Sequence, residues 1–239
     1  AEFTFSEMDR RLGSAGLGLQ LGPFAVRVTT ELASLKRLMY ELLKDYRVID
    51  DDPIWDVHVR VSSTSFVRRW LRPQVQFFVD GRAPFEPLPA QHHLAVLEWG
   101  INWCIAARCH HFLMLHAAVV ERNGRAMLFP AWPGHGKSTL CAALVFSGWR
   151  LLSDEFGLVR PGDGRMVPLP RLIPLKNESI EIIQRFAPGA NIGPAFSGTR
   201  KGTVAHVCPP ADSVDRADET AAPGWIVFPR WVPDSPLRL

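Results

Sequence analysis

Apolar and polar positions alternate toward the end of residues 22–28 (Gly-Pro-Phe-Ala-Val-Arg-Val), which predicts a strand. The period then lengthens. Leu32, Leu35, Leu38, Met39, Leu42 and Leu43 recur at helical spacing and predict an amphipathic helix over 31–45. Thr30 stands where a capping side chain is expected, and Glu31 near the positive end of the helix dipole. Alternation returns over 56–61 and 74–79, and Asp80-Gly81 supplies a turn. The first third therefore reads as a small α/β lobe.

Pro84, Pro87 and Pro89 punctuate the chain and set an expected boundary between an N-terminal lobe, 1–85, and a second domain, 86–239. Leu94, Leu97, Ile101, Cys104 and Ile105 form one stripe of a helix over about 90–109. The apolar runs 113–120 and 126–129 are short enough for buried strands. Residues 137–147 have a helical pattern that stops at Gly148; strands follow at 149–152 and 156–159, and Asp163-Gly164 suits a hairpin. Beyond 170 the pattern predicts a helix at 176–186, a mobile Gly-, Pro- and Ser-rich loop at 189–201, and short strands at 203–207 and 225–228. The chain stops after Leu239 without a closing element, so a C-terminal portion is expected to be missing.

Composition changes this picture little. Of the 239 residues, 47% are hydrophobic and 21% charged, which suits a globular chain with a core. Net charge is +3, with basic residues scattered (Arg68, Arg69, Arg72, Arg200, Lys201), so no nucleic-acid partner is expected. No apolar stretch approaches the length of a membrane-spanning helix, and no membrane partner is expected. The N-terminus carries Glu2, Glu7 and Asp9 and lacks the form of a signal peptide. The cysteines Cys104, Cys109, Cys141 and Cys208 are unevenly spaced and read as free thiols of a reducing compartment, with a cytoplasmic location as the default. His92-His93 and Cys109-His110-His111 lack a second ligand pair at a spacing familiar from zinc sites.

The strongest chemical signal is Ala131-Trp-Pro-Gly-His-Gly-Lys-Ser-Thr139, which follows an apolar run and opens a helix. Glycines let successive backbone N–H groups converge on one anion, and the helix dipole adds positive charge behind them. In that pattern Lys137 reaches the β and γ phosphates of a nucleotide, Ser138 ligates Mg²⁺, and Thr139 bonds the α phosphate; Gly134, His135 and Gly136 form the turn. Ala131 replaces the usual opening glycine.

Ser153-Asp154-Glu155 follows the next strand. An acid at that strand end is expected beside the phosphate loop. One carboxylate suits Mg²⁺, directly or through water, and the other suits accepting a proton from an attacking hydroxyl. His116 lies within the apolar run 113–120, where a histidine alone more often belongs to the core. No Asn-Lys-x-Asp guanine reader is present.

Leu115-His116, the loop 134–139, Ser147-Gly-Trp-Arg150 and Leu151-Leu-Ser-Asp-Glu155 come in the order and spacing of HPr serine kinase/phosphorylases. The chain more closely resembles the HprK-related kinase A group, on residues 97–103, 175–179 and 199–206 as well. The resemblance implies an α/β P-loop kinase core of HPr kinase and PEP carboxykinase type with a mixed sheet. It implies ATP and Mg²⁺ as cofactors, Asp154 as catalytic base toward a serine or threonine hydroxyl of a peptide or protein, and His116 near the transferred phosphate. Ser138 and Glu155 are the implied metal ligands, Glu155 standing where a second Asp is usual, and Glu178 is a later candidate carboxylate. Lys176, Arg200 and Lys201 are candidates for phosphate or substrate binding, and a homo-oligomer is implied. The alternatives are a regulatory or scaffolding nucleotide-binding module without phosphotransfer, and a P-loop ATPase.

Overall fold

A computed structural model describes residues 4–50, 53–64 and 72–232. Glu2, Arg68 and Arg69 lie outside them. The chain is α/β with mixed sheets, and among the described residues no helix is long and apolar enough to cross a membrane.

Helix α1 (Phe5–Leu12) is capped by Thr4, whose hydroxyl accepts the Glu7 N–H. Strands β1 (Leu17–Leu21) and β2 (Phe24–Thr30) form a hairpin, and α2 (Ala33–Leu43) leads onward. β3 (Val48–Ile49) returns to β1, and β4 (Val57–Ser63) lies parallel to β2. β5 (Gln74–Val79) and β6 (Leu88–Pro89) complete the sheet in the order β3-β1-β2-β4-β5-β6. The period-2 pattern of β2 sends Val26 and Val28 inward, into the core that Leu35 and Met39 of α2 share.

Helix α3 (His93–Arg108) begins beyond the expected boundary at 85/86, yet it packs on β4 and β5. Gly100 allows that approach, because a Cβ there would come within 2.2 Å of the Phe77 ring. Leu94, Leu97 and Ile101 are buried in the same core, each contributing roughly 1.5–3 kcal/mol.

Thr30 does not cap α2. It ends β2, donating its hydroxyl to the Val61 carbonyl and accepting the Leu32 N–H, while the cap position falls on Leu32. Glu31 likewise turns to β4 and accepts the Ser63 N–H. Strand pairing takes both groups because the helix starts two residues later than the hydrophobic pattern suggests.

The second sheet is built on β7 (Leu113–Arg122). It turns at Asn123-Gly124, both at positive φ, into antiparallel β8 (Arg125–Pro130). After α4 (Lys137–Val145), β9 (Arg150–Ser153) pairs with the second half of β7 and β10 (Phe156–Val159) with its first half. β11 (Met166–Val167) extends from β10. Thus β8 and β9 run parallel with antiparallel β7 between them. A third sheet, in the order β12-β14-β13, comprises β12 (Ile173–Lys176), β13 (Phe196–Thr199) and β14 (Gly202–Val207), with α5 (Glu178–Phe186) between the first two in sequence. α6 (Ala211–Asp215) precedes β15 (Ala222–Ile226), which pairs parallel with the free edge of β8.

Two expectations change here. The segment 189–201 is not all loop, since β13 lies within it. The last strand comes earlier than 225–228, because residues from Ala222 already pair with β8. α4 is sandwiched, its Cys141, Ala142 and Val145 sharing a core with Leu175 and Val207 of the third sheet and Ile183 of α5.

A buried ion pair holds the far end of the second sheet. The Arg150 Nε donates to Glu121 Oε2 at 2.6 Å, and its two Nη groups donate to the carbonyls of Arg216 and Glu219. Burial raises the Glu121 carboxyl, but the bonds from Arg150 and from the Gly124 N–H hold it below its usual range. Breaking a buried pair from one side strands a charge. Arg150→Met is therefore expected to cost ~3–5 kcal/mol in urea denaturation, with part of the loss recovered in the Glu121→Gln/Arg150→Met double variant. A cost below about 1 kcal/mol would mean that the pair does not anchor the 211–219 segment.

Candidate functional site: a phosphate loop facing a buried carboxylate

Gly134 and Gly136 sit at φ 88° and 80°, in the left-handed region that side chains disfavour. Gly136 occupies the cap position of α4 without any side-chain cap, so the first N–H groups of the helix remain available. The loop turns on itself through the bond from the His135 N–H to the Trp132 carbonyl, and Leu140 N–H closes the first helical turn on Gly136. Ala131 is accommodated half-buried at the loop's start.

Strand order delivers the remaining groups. β8 and β9 are parallel, so the loop after Pro130 and the acids after Ser153 emerge at one sheet edge. β7 runs the other way, so its beginning lies at that edge. His116 pairs with Phe156, and its neighbour Ala117 pairs with Pro130. His116 is therefore set between the loop strand and the acidic corner. From the third sheet, Lys176 at the end of β12 pairs with Val204, and Lys201 stands in the turn just before β14.

The charges of these side chains act on one another. Asp154 is only 5% exposed, and neither of its oxygens has a hydrogen-bond partner; the Lys137 Nζ is likewise buried and unpartnered. Burial pushes the Asp154 carboxyl up to about 7, against the opposing pull of the Ser138 hydroxyl and of Lys137, and with Glu155 adding to the rise. Ser138 is thus near enough to favour the ionised form without making a well-aligned bond.

His116 is exposed at the surface but crowded enough that burial, then Lys137, disfavours its imidazolium, with Glu155 opposing. Burial and then Lys201 lower Lys176, while Glu155 and Asp154 oppose. Lys137 and Lys176 thus act on Asp154, and Lys137, Lys201, Lys176 and Glu155 act on His116. Two expected groups are not drawn in. Glu178 is exposed at the start of α5, Arg200 is exposed beside Lys201, and neither is among the charges acting most strongly on Asp154 or His116.

Residues the pattern did not single out stand behind the acids. Arg171 is buried and donates to the Glu98 carboxylate at 2.6 Å and to the Asn102 side chain. A cavity of about 20 Å³, enough for a water molecule, lies among Glu98, Asn102, Arg171, Asp154 and Glu155. Cys141 of α4 also lies beside Asp154, and burial followed by that carboxylate keeps its thiol protonated. The signal available was Glu98 and Asn102, polar residues one turn apart on a helix otherwise apolar around them.

A buried ammonium and a buried carboxylate, each without hydrogen bonds, carry a desolvation cost that an occupant would relieve. Uncapped helix N–H groups and three lysines suit the oxygens of a polyphosphate. The Ser138 hydroxyl and the two carboxylates are hard oxygen donors of the kind Mg²⁺ takes. Among the described residues, no three His, Cys, Asp or Glu side chains are grouped to hold a metal by themselves. Comparison of the chain with protein-family models, with curated proteins and with solved structures finds no match.

The raised Asp154 carboxyl has a consequence for stability. Between about pH 4, its unfolded value, and about 7, the folded chain holds one more proton than the unfolded chain, so raising the pH across that window destabilises the fold. Asp154→Asn removes this penalty. Its stability relative to the unchanged chain is expected to grow from about pH 4 to about pH 7 and then level off, by a few kcal/mol in total on the order-of-magnitude linkage relation. Denaturant titrations of both proteins across that range provide the check, and a pH-independent difference would place the carboxyl in its ordinary range.

Proposed function

We propose that this chain is an ATP-dependent kinase that transfers the γ-phosphoryl group to a serine or threonine hydroxyl of a peptide or protein. The observation that carries the reading is the unpartnered, buried pair of Lys137 Nζ and Asp154 at the mouth of a phosphate loop, with His116 beside them. A structural ion pair would be hydrogen-bonded. A site awaiting a charged occupant would not.

In this reading the N–H groups at the start of α4, with Lys137, hold the phosphate oxygens, and Thr139 bonds the α phosphate. Ser138 and Glu155 hold Mg²⁺, with Glu178 the more remote candidate. The bound Mg–nucleotide supplies the transferable phosphoryl group and neutralises part of its charge. Asp154 accepts the hydroxyl proton as the acceptor oxygen bonds to the γ phosphorus and the bond to the β-bridging oxygen breaks. A carboxyl near pH 7 is matched to that task, since about half of it is ionised at neutral pH and it is still basic enough to draw the proton. His116, held neutral, hydrogen-bonds near the transferred group. Lys176 and Lys201, with Arg200 further out, attract anionic groups to the mouth of the site. His116 is exposed beside the loop, on the side from which an acceptor hydroxyl would enter.

Transfer from labelled ATP to a panel of Ser/Thr peptides, with Mg²⁺, tests the reading. Asp154→Asn is expected to lose transfer by roughly 10²–10⁴-fold while still binding nucleotide. The rate of the unchanged enzyme should rise with pH and flatten above about 7, as Asp154 becomes ionised. Full activity in Asp154→Asn would remove it from the role of base.

A further inference from the structure

Among the strands of the loop's own sheet, the charged groups of the site all stand on one side of β8. β8 has two neighbours, β7 and β15, and His116, Asp154 and Glu155 lie on the β7 side. β15 flanks the other edge of β8 and runs parallel to it, so the segment that follows β15 leaves the sheet at the same edge as the loop. The Val227 N–H continues the pairing onto the Leu128 carbonyl. A few residues later the Trp231 N–H donates to the His135 carbonyl at 3.3 Å, inside the phosphate loop itself. The Trp231 Cβ lies 3.4 Å from the point a Cβ on Gly136 would occupy.

This segment is pinned by its backbone and yet turns its rings outward. Phe228 is 76% exposed and Trp231 67%. Exposed apolar patches mark ligand-binding or interaction sites. A nucleotide whose terminal phosphate faces His116 and Asp154 directs its sugar and base away from them, toward the β15 flank. We propose that Phe228 and Trp231 form the nucleobase site, stacking the base of the nucleotide whose phosphates the loop holds; this rests on the nucleotide reading above. Stacking uses the π face that every base carries, so it discriminates weakly. With no Asn-Lys-x-Asp reader in the chain, ATP and GTP are expected to bind with similar affinity.

The test measures binding of Mg–ATP and of inorganic tripolyphosphate to the unchanged chain and to Phe228→Ala, Trp231→Ala and Trp231→Phe. Stacking of one base on one ring is worth enough that each alanine variant should weaken ATP roughly tenfold. Tripolyphosphate, which has no base, should bind all four proteins alike, and Trp231→Phe should retain most of the ATP affinity. If the alanine variants bind ATP as tightly as the unchanged chain, the base site falls and the phosphate site stands. If they weaken both ligands equally, the rings support the loop and do not hold a base, which overturns the proposal. If the unchanged chain binds neither ligand, the nucleotide reading falls and takes this site with it. Loss of self-association with unchanged ATP affinity, read by sedimentation, would assign the rings to a second copy and overturn the proposal as well.

Discussion

β7 separates two strands that point the same way. On one edge it pairs with β8, which leads into the phosphate loop, and on the other with β9, which leads into the acidic corner, and its own first half pairs with β10. Because β7 runs opposite to both neighbours, its beginning meets their ends. Loop, carboxylates and histidine therefore reach one sheet edge through backbone pairing alone, before any side chain is considered. A one-residue slip of β7 would turn His116 to the other face. The bulge between Val119 and Val120, where β9 pairs, is the irregularity this arrangement contains.

The electrostatic state of the site follows from where that edge lies. α4 packs between the second sheet and the β12–β14 layer, and this covers Asp154 while leaving its oxygens without partners. Burial alone would favour a neutral acid, whereas Lys137 and Ser138 pull toward the ionised form, and the outcome is a carboxyl that titrates near neutrality. The Glu98–Arg171 pair behind it is hydrogen-bonded, and so is Glu121–Arg150. Those pairs hold the fold together. Asp154 and Lys137 differ from them in lacking partners, and the proposed function rests on that difference.

Much of the site was legible because its signals are local. The glycines and lysine of the loop, and the acids one helix and one strand later, lie within 25 residues of one another. His116 was ambiguous by itself, since only its exposure, ahead of the buried second half of β7, distinguishes it from a core histidine. Arg171 and Glu98 were not legible as partners, because 73 residues separate them and the contact crosses from α3 to the segment before β12. Thr30 was misassigned for the same reason: the Val61 carbonyl that takes its hydroxyl belongs to a strand 31 residues on. The β15 strand was expected at 225–228 and only its start was missed, since its first residues include Pro223 and Gly224 and bury little.

The central claim is that the loop and its unpartnered lysine form a site for the phosphates of a nucleotide. Calorimetric titration of Mg–ATP into the unchanged chain and into Lys137→Met tests it most directly. The account predicts saturable one-to-one binding to the unchanged chain and a loss of most of that affinity in Lys137→Met, with the fold intact by circular dichroism. Equal affinity in the two proteins would contradict it.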